Sequence, residues 1–115
     1  MILDEIKQGL EKIDSRVFYG MVDNSVSETI WDYIVFNRAT LKAGQNKNSF
    51  SDYYDVHIVR ENFIPEGIDG EVIEQMLTID GMRLAGADCA YSYVQKPNTN
   101  VVVEMLTLHF VRARK

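Results

Sequence analysis

Hydrophobic alternation is strongest in the final quarter of the chain. Cys89, Tyr91 and Tyr93 interleave with Ala90, Ser92 and Val94, the two-residue period of a half-buried strand. After Lys96-Pro97-Asn98-Thr99-Asn100, residues 101–111 are rich in β-branched and large apolar side chains. Leu106, Leu108 and Phe110 fall on one face, and Met105, Thr107, His109 and Val111 on the other. The pattern predicts a hairpin over residues 88–113. Neither face of its second strand is clearly polar, which predicts a central strand covered by helices on one side. In so short a chain, another copy is a candidate cover for the other side.

Earlier in the chain the period changes. Ile2, Leu3, Ile6, Leu10 and Ile13 recur at helical spacing opposite Asp4, Glu5, Lys7, Glu11 and Lys12, predicting an amphipathic helix ended by Asp14-Ser15-Arg16. Val17-Phe18-Tyr19 reads as a short strand before Gly20, and residues 21–29 as a loop. Alternation returns over 31–37 and again over 53–60, each predicting a strand. Between them, residues 39–51 are small, polar and without periodicity, which predicts a long mobile loop of the kind that more often carries function than simply connects. A second helical stripe, Ile68, Val72, Ile73, Met76, Leu77 and Ile79, predicts a helix over 66–79 that follows Pro65 and stops at Gly81. The segment 82–87 then leads into the final hairpin. The expected architecture is α+β, an antiparallel sheet of about five strands with two helices packed on one face, in a single domain spanning 1–115.

Composition narrows the class. A chain of 115 residues that is 46% hydrophobic and 25% charged is a soluble, globular composition with no stretch of membrane-spanning length. The start, Met1-Ile2-Leu3-Asp4-Glu5, is acidic where a signal peptide is basic, and a lone Cys89 suits a reducing compartment, so the cytoplasm is expected. A net charge of −5 argues against general nucleic-acid binding. The charges are also segregated: Arg38, Lys42 and Lys47 lie in a stretch without acids, while Glu61, Glu66, Asp69, Glu71, Glu74 and Asp80 lie in one without bases.

Candidate chemistry is sparse. His57, His109, Asp55 and Cys89 share no metal-ligand or nucleophile spacing and are expected to be sheet residues, with no catalytic residue, metal or cofactor. Glu104 is expected to pair with a neighbouring base. Tyr53, Tyr54, Tyr91 and Tyr93 offer stacking surfaces for single-stranded bases, a role that the acidic balance disfavours.

Val17-Phe18-Tyr19-Gly20, Asp32-Tyr33-Ile34-Val35-Phe36-Asn37-Arg38, the segment 54–65 and Val103-Glu104-Met105-Leu106-Thr107-Leu108 together resemble the minor tail or tail-terminator proteins of long-tailed bacteriophages and prophages. The resemblance implies a non-enzymatic α+β subunit of a ring, a hexamer, that caps the tail tube and faces the head connector. It implies a life in the host bacterial cytoplasm during assembly and then in the virion tail, with no membrane or direct nucleic-acid contact. No residue-level motif carries over, so site expectations rest on charge and periodicity. Arg38, Lys42, Gln45, Asn46, Lys47 and Asn48 form the expected partner-binding loop. Self-association is expected to set the acidic face of Glu66, Asp69, Glu71 and Glu74 against that loop or against Arg112, Arg114 and Lys115. A small-ligand-binding module or a dimeric cytoplasmic interaction protein is the alternative.

Overall fold

The computed structural model describes residues 1–21, 30–44, 49–86 and 88–114. Helix α1 (Ile2–Glu11) is followed by strands β1 (Val17–Tyr19), β2 (Tyr33–Ala43) and β3 (Phe50–Glu61), helix α2 (Ile68–Leu77), and strands β4 (Met82–Leu84), β5 (Ala90–Gln95) and β6 (Val102–Arg114). The sheet runs β1-β2-β3-β6-β4, with β5 also on β6, so it has six strands. All neighbours are antiparallel except β1, which pairs parallel to β2 through Val17 and Ile34. The α+β class is as expected, whereas the parallel edge and the extra strand β4 are not. Three residues are too few to display a period, and β4 therefore read as a connector.

β3 and β6 form the centre, with every residue of β3 opposite a residue of β6. On one face Ile34 and Phe36 of β2, Val56 and Ile58 of β3, and Leu106, Leu108 and Phe110 of β6 pack beneath the helices. Ile6 and Leu10 of α1 and Val72 and Met76 of α2 complete this core from above. Each large apolar side chain buried here contributes roughly 1.5–3 kcal/mol. Both helices follow the predicted stripes, two residues shorter at the C-terminal ends because Ile13 and Ile79 pack on the core from the turns beyond.

The final hairpin matches its pattern. Its turn is closed by the Thr99 N–H donating to the Lys96 carbonyl at 3.2 Å. Pro97 and Asn98 occupy the middle positions, and Asn98 at φ 61° supplies the positive φ that a type II turn requires. β4 and β5 share one flank of β6, against its C-terminal and N-terminal halves respectively.

The expected loop over 39–51 is corrected. β2 continues to Ala43 and β3 begins at Phe50, with Thr40, Leu41, Lys42 and Ala43 paired to Tyr53, Asp52, Ser51 and Phe50. The register slips once, between Arg38 and Thr40, at a β-bulge. From Arg38 to Ala43 every residue of β2 is exposed. This part of the hairpin has no core to face, so backbone pairing holds the strands and no apolar period marks them. Gln45, Asn46, Lys47 and Asn48 of the expected loop, and Lys115, lie outside the described residues.

Candidate functional site

The sheet's second face divides into an apolar end and a polar middle. At the apolar end Tyr33, Val35, Val59 and Val103 are buried, with Phe18, Trp31 and Met105 packed around them. Phe18 meets Tyr33 edge to face at 6.0 Å. No helix among the described residues covers this face.

Register builds the polar middle, because His57 lies opposite Thr107 and Asp55 lies opposite His109. The Asn37 amide Nδ2 donates to the Arg38 carbonyl at 3.1 Å, which turns its Oδ1 toward His57 Nε2 at 3.0 Å. An amide oxygen only accepts, so Nε2 carries the imidazole proton and Nδ1 accepts from the Thr107 hydroxyl at 2.9 Å. Burial pushes the His57 pKa below its ordinary 6.5, with Asp55 opposing that shift and His109 reinforcing it. The neutral ring is the form this network fits.

His109 Nδ1 lies 2.7 Å from Asp55 Oδ1, a hydrogen bond that becomes an ion pair when the ring is protonated. With Nδ1–H held by the carboxylate, Nε2 remains for another partner. Both residues line a cavity of about 490 Å³ together with Thr40, Lys42 and Tyr53. Lys42 Nζ stands 5.1 Å from the Tyr53 ring centroid, a cation–π contact. A histidine oriented in this way can donate or accept a proton from a group in the cavity. Among the described residues no three of His, Cys, Asp and Glu converge as metal ligands.

A second cavity, about 360 Å³, opens at the hairpin end of the helix-covered face. Arg38, Arg112, Arg114, Asp52 and Tyr54 line it, beside Ile2 at the start of α1. Three arginines and one aspartate therefore share its lining. Asp52 is held by Arg114, whose Nη2 and Nε lie at 2.7 and 3.0 Å, and Arg112 Nε donates to the Asp80 carbonyl at 2.9 Å. Arg38 has no acid within ion-pair distance among the described residues. Burial raises the Tyr54 pKa and Asp52 adds to the rise, while Arg112, Arg38 and Arg114 pull it down. The cavity gathers Arg38, expected in the partner-binding loop, with Arg112 and Arg114, expected in self-association. Lys42 is not among its lining residues and belongs to the other face.

The acidic set lies elsewhere. Glu66, Glu71 and Glu74 are exposed on and just before α2, with Asp69 half-buried. Glu71 and Glu74 line a cavity of about 350 Å³ with Lys12 and Ile13, at the C-terminal end of α1. At the sheet flank, all six residues of β5 are exposed, including Tyr91, Tyr93 and Val94, and β5 pairs only with β6 among the described strands.

Two expectations on single residues change. Glu104 accepts the Ile64 backbone N–H at 2.7 Å and the Tyr93 hydroxyl, so an amide and a phenol take the place of the expected base. Its register partner Arg60 instead turns to Asp14 at 2.8 Å. Cys89 is exposed and precedes β5 rather than lying in it. The chain matches no protein-family model and no curated protein sequence.

Proposed function

We propose that this chain is a non-enzymatic structural subunit of a long-tailed bacteriophage or prophage. Copies assemble into a ring, six to a turn, that ends the tail tube and joins it to the head connector. The reading is supported by the resemblance of the strand segments and, above all, by β5. An edge strand whose six residues are all exposed, with two tyrosines and a valine among them, is a surface suited to another protein chain. Phe18, Trp31 and Met105, half-buried at the apolar end of the second sheet face, add a smaller contact area. No helix among the described residues is long and apolar enough to cross a membrane. In this reading the protein acts in the host bacterial cytoplasm during assembly and afterwards in the virion tail, with tail-tube and connector proteins as its partners.

Electron microscopy of the purified protein, alone and mixed with tail tubes, tests the proposal. Rings seated at tube ends are the expected result, and a protein that never associates with tubes refutes it. One observation favours a second reading, a small-ligand-binding module: the cavity of about 490 Å³ with the Asp55–His109 pair in its wall. A small molecule that copurifies at one per chain, and is lost on His109→Ala, would select that reading.

A further inference from the structure

The arginine cavity and the acidic surface of α2 lie at opposite ends of the helix layer. Ile2, at the start of α1, borders the cavity of Arg38, Arg112 and Arg114. Lys12 and Ile13, just beyond the other end of α1, border Glu71 and Glu74. A helix of 10 residues separates them, about 15 Å at 1.5 Å per residue. Among the described residues, Lys12 borders the acidic surface without an ion pair to Glu71 or Glu74, and Asp52 is the acid that lines the arginine cavity. Asp52 is committed to Arg114, Arg38 has no acidic partner among the described residues, and no ion pair there involves Glu66, Asp69, Glu71 or Glu74.

Resting on the ring reading, we propose that the arginine cavity of one copy receives the Glu71 and Glu74 carboxylates of the next, in a head-to-tail contact. Surfaces that complement each other from opposite ends of a subunit make a heterologous interface, which propagates from copy to copy and closes into a ring when the rotation permits. Self-complementary patches would instead stop at a two-fold dimer. The geometry of the receiving site suits carboxylates. Arg38 lies in the exposed part of β2 with no acid at ion-pair distance among the described residues, and guanidinium groups bind carboxylates through paired N–H donors. Arg114, already bound to Asp52, and Arg112, held by the Asp80 carbonyl, are fixed in place beside it and enhance the positive field.

Charge reversal separates this contact from other routes to assembly. In sedimentation velocity over a range of protein concentrations, Arg38→Glu alone and Glu71→Lys/Glu74→Lys alone should each weaken self-association by on the order of a hundredfold, since each places like charges together. Mixing the two variants in equal amounts should restore assembly, because every cavity in the mixture then finds an opposite charge on a copy of the other kind. Restoration also shows that both variants are folded. Raising ionic strength should loosen the wild-type assembly. If both variants assemble like the wild type, the contact is wrong while the ring proposal stands on its other surfaces. A mixture that stays dissociated likewise refutes the contact, and a wild-type chain that is monomeric at every concentration refutes both.

Discussion

Asp14→Ala should be among the most damaging single changes outside the apolar core. Arg60 is one of the least exposed charged residues, 9% accessible, at the end of the helix-covered face of β3. Its guanidinium is shared between the Asp14 carboxylate at 2.8 Å and the carbonyls of Val59 and Tyr33 at 2.8 and 3.3 Å. Breaking a buried ion pair from one side typically costs roughly 3–5 kcal/mol, because the remaining charge stays desolvated without a counterion. Here two carbonyls continue to accept from Arg60 and both side chains retain 11% exposure, which places the loss near the lower end. Asp14 also accepts the Arg16 backbone N–H at 3.0 Å, a bond with a net contribution of about 1 kcal/mol. Asp14→Ala should therefore cost about 3 kcal/mol, and Asp14→Asn, which keeps an acceptor for Arg16, about 2 kcal/mol. Urea titration read by circular dichroism measures both. Adding Arg60→Met to Asp14→Asn should recover at least about 1 kcal/mol relative to the sum of the single losses. Losses of about 0.5 kcal/mol, the size expected of an exposed pair, or strict additivity in the double variant, would refute the assignment of a buried tie between the end of α1 and the sheet.

Protonation of His57 supplies a pH test. Its folded-state pKa lies below the ordinary 6.5, so the unfolded chain binds more protons in the interval between the two values. Stability should be fully present above about pH 6.5, fall as the solution is acidified toward the folded pKa and level off below it, and His57→Gln should flatten that interval in urea midpoints; an unchanged slope in the variant rejects the assignment. Phe110→Ala opens a cavity beneath the helices and should cost roughly 3–5 kcal/mol, measured by the same titration, with less than about 1 kcal/mol indicating that the helix layer does not pack as described. Replacing Tyr91 by lysine should move stability by no more than about 0.5 kcal/mol yet reduce self-association in light scattering, and an undiminished mass would remove the β5 edge from the contact.

Much of the fold was legible where periodicity meets a core. Leu106, Leu108 and Phe110 were separable from Met105, Thr107 and His109 by alternation alone, and the two faces of β6 are divided along that line. Ile6, Leu10, Val72 and Met76 announced both helices in the same way. Legibility failed where strands leave the core. The hairpin continuation through Thr40, Leu41 and Lys42 is held by main-chain pairing, which any residue but proline can make, and so has no side-chain signature. The polar sites failed for a different reason. Arg38, Asp52, Tyr54, Arg112 and Arg114 come together only through the registers Arg38 to Tyr54 and Asp52 to Arg112, and cross-strand register is not written in local composition. Asp14 and Arg60 are joined by tertiary placement after a segment that read as no more than the end of a helix.

The same registers determine what can lie against the second sheet face. Burying polar groups beneath a partner is costly when donors or acceptors are stranded, at about 1–3 kcal/mol for each unsatisfied group. On this face the groups are paired in advance: Asn37 with His57, His57 with Thr107, and Asp55 with His109. No buried side-chain nitrogen or oxygen among the described residues lacks a partner. A covering chain can therefore gain apolar burial against the half-buried Phe18, Trp31 and Met105 without having to satisfy most of the polar middle. What it must provide is one group for His109 Nε2 and compensation for Lys42, both on the same cavity wall. An acidic or hydroxyl-bearing side chain placed there meets both requirements, whereas a wholly apolar surface would leave the cation desolvated. The apolar end supplies area and the polar middle supplies register, so the second face favours a partner that presents the two kinds of group in the same order.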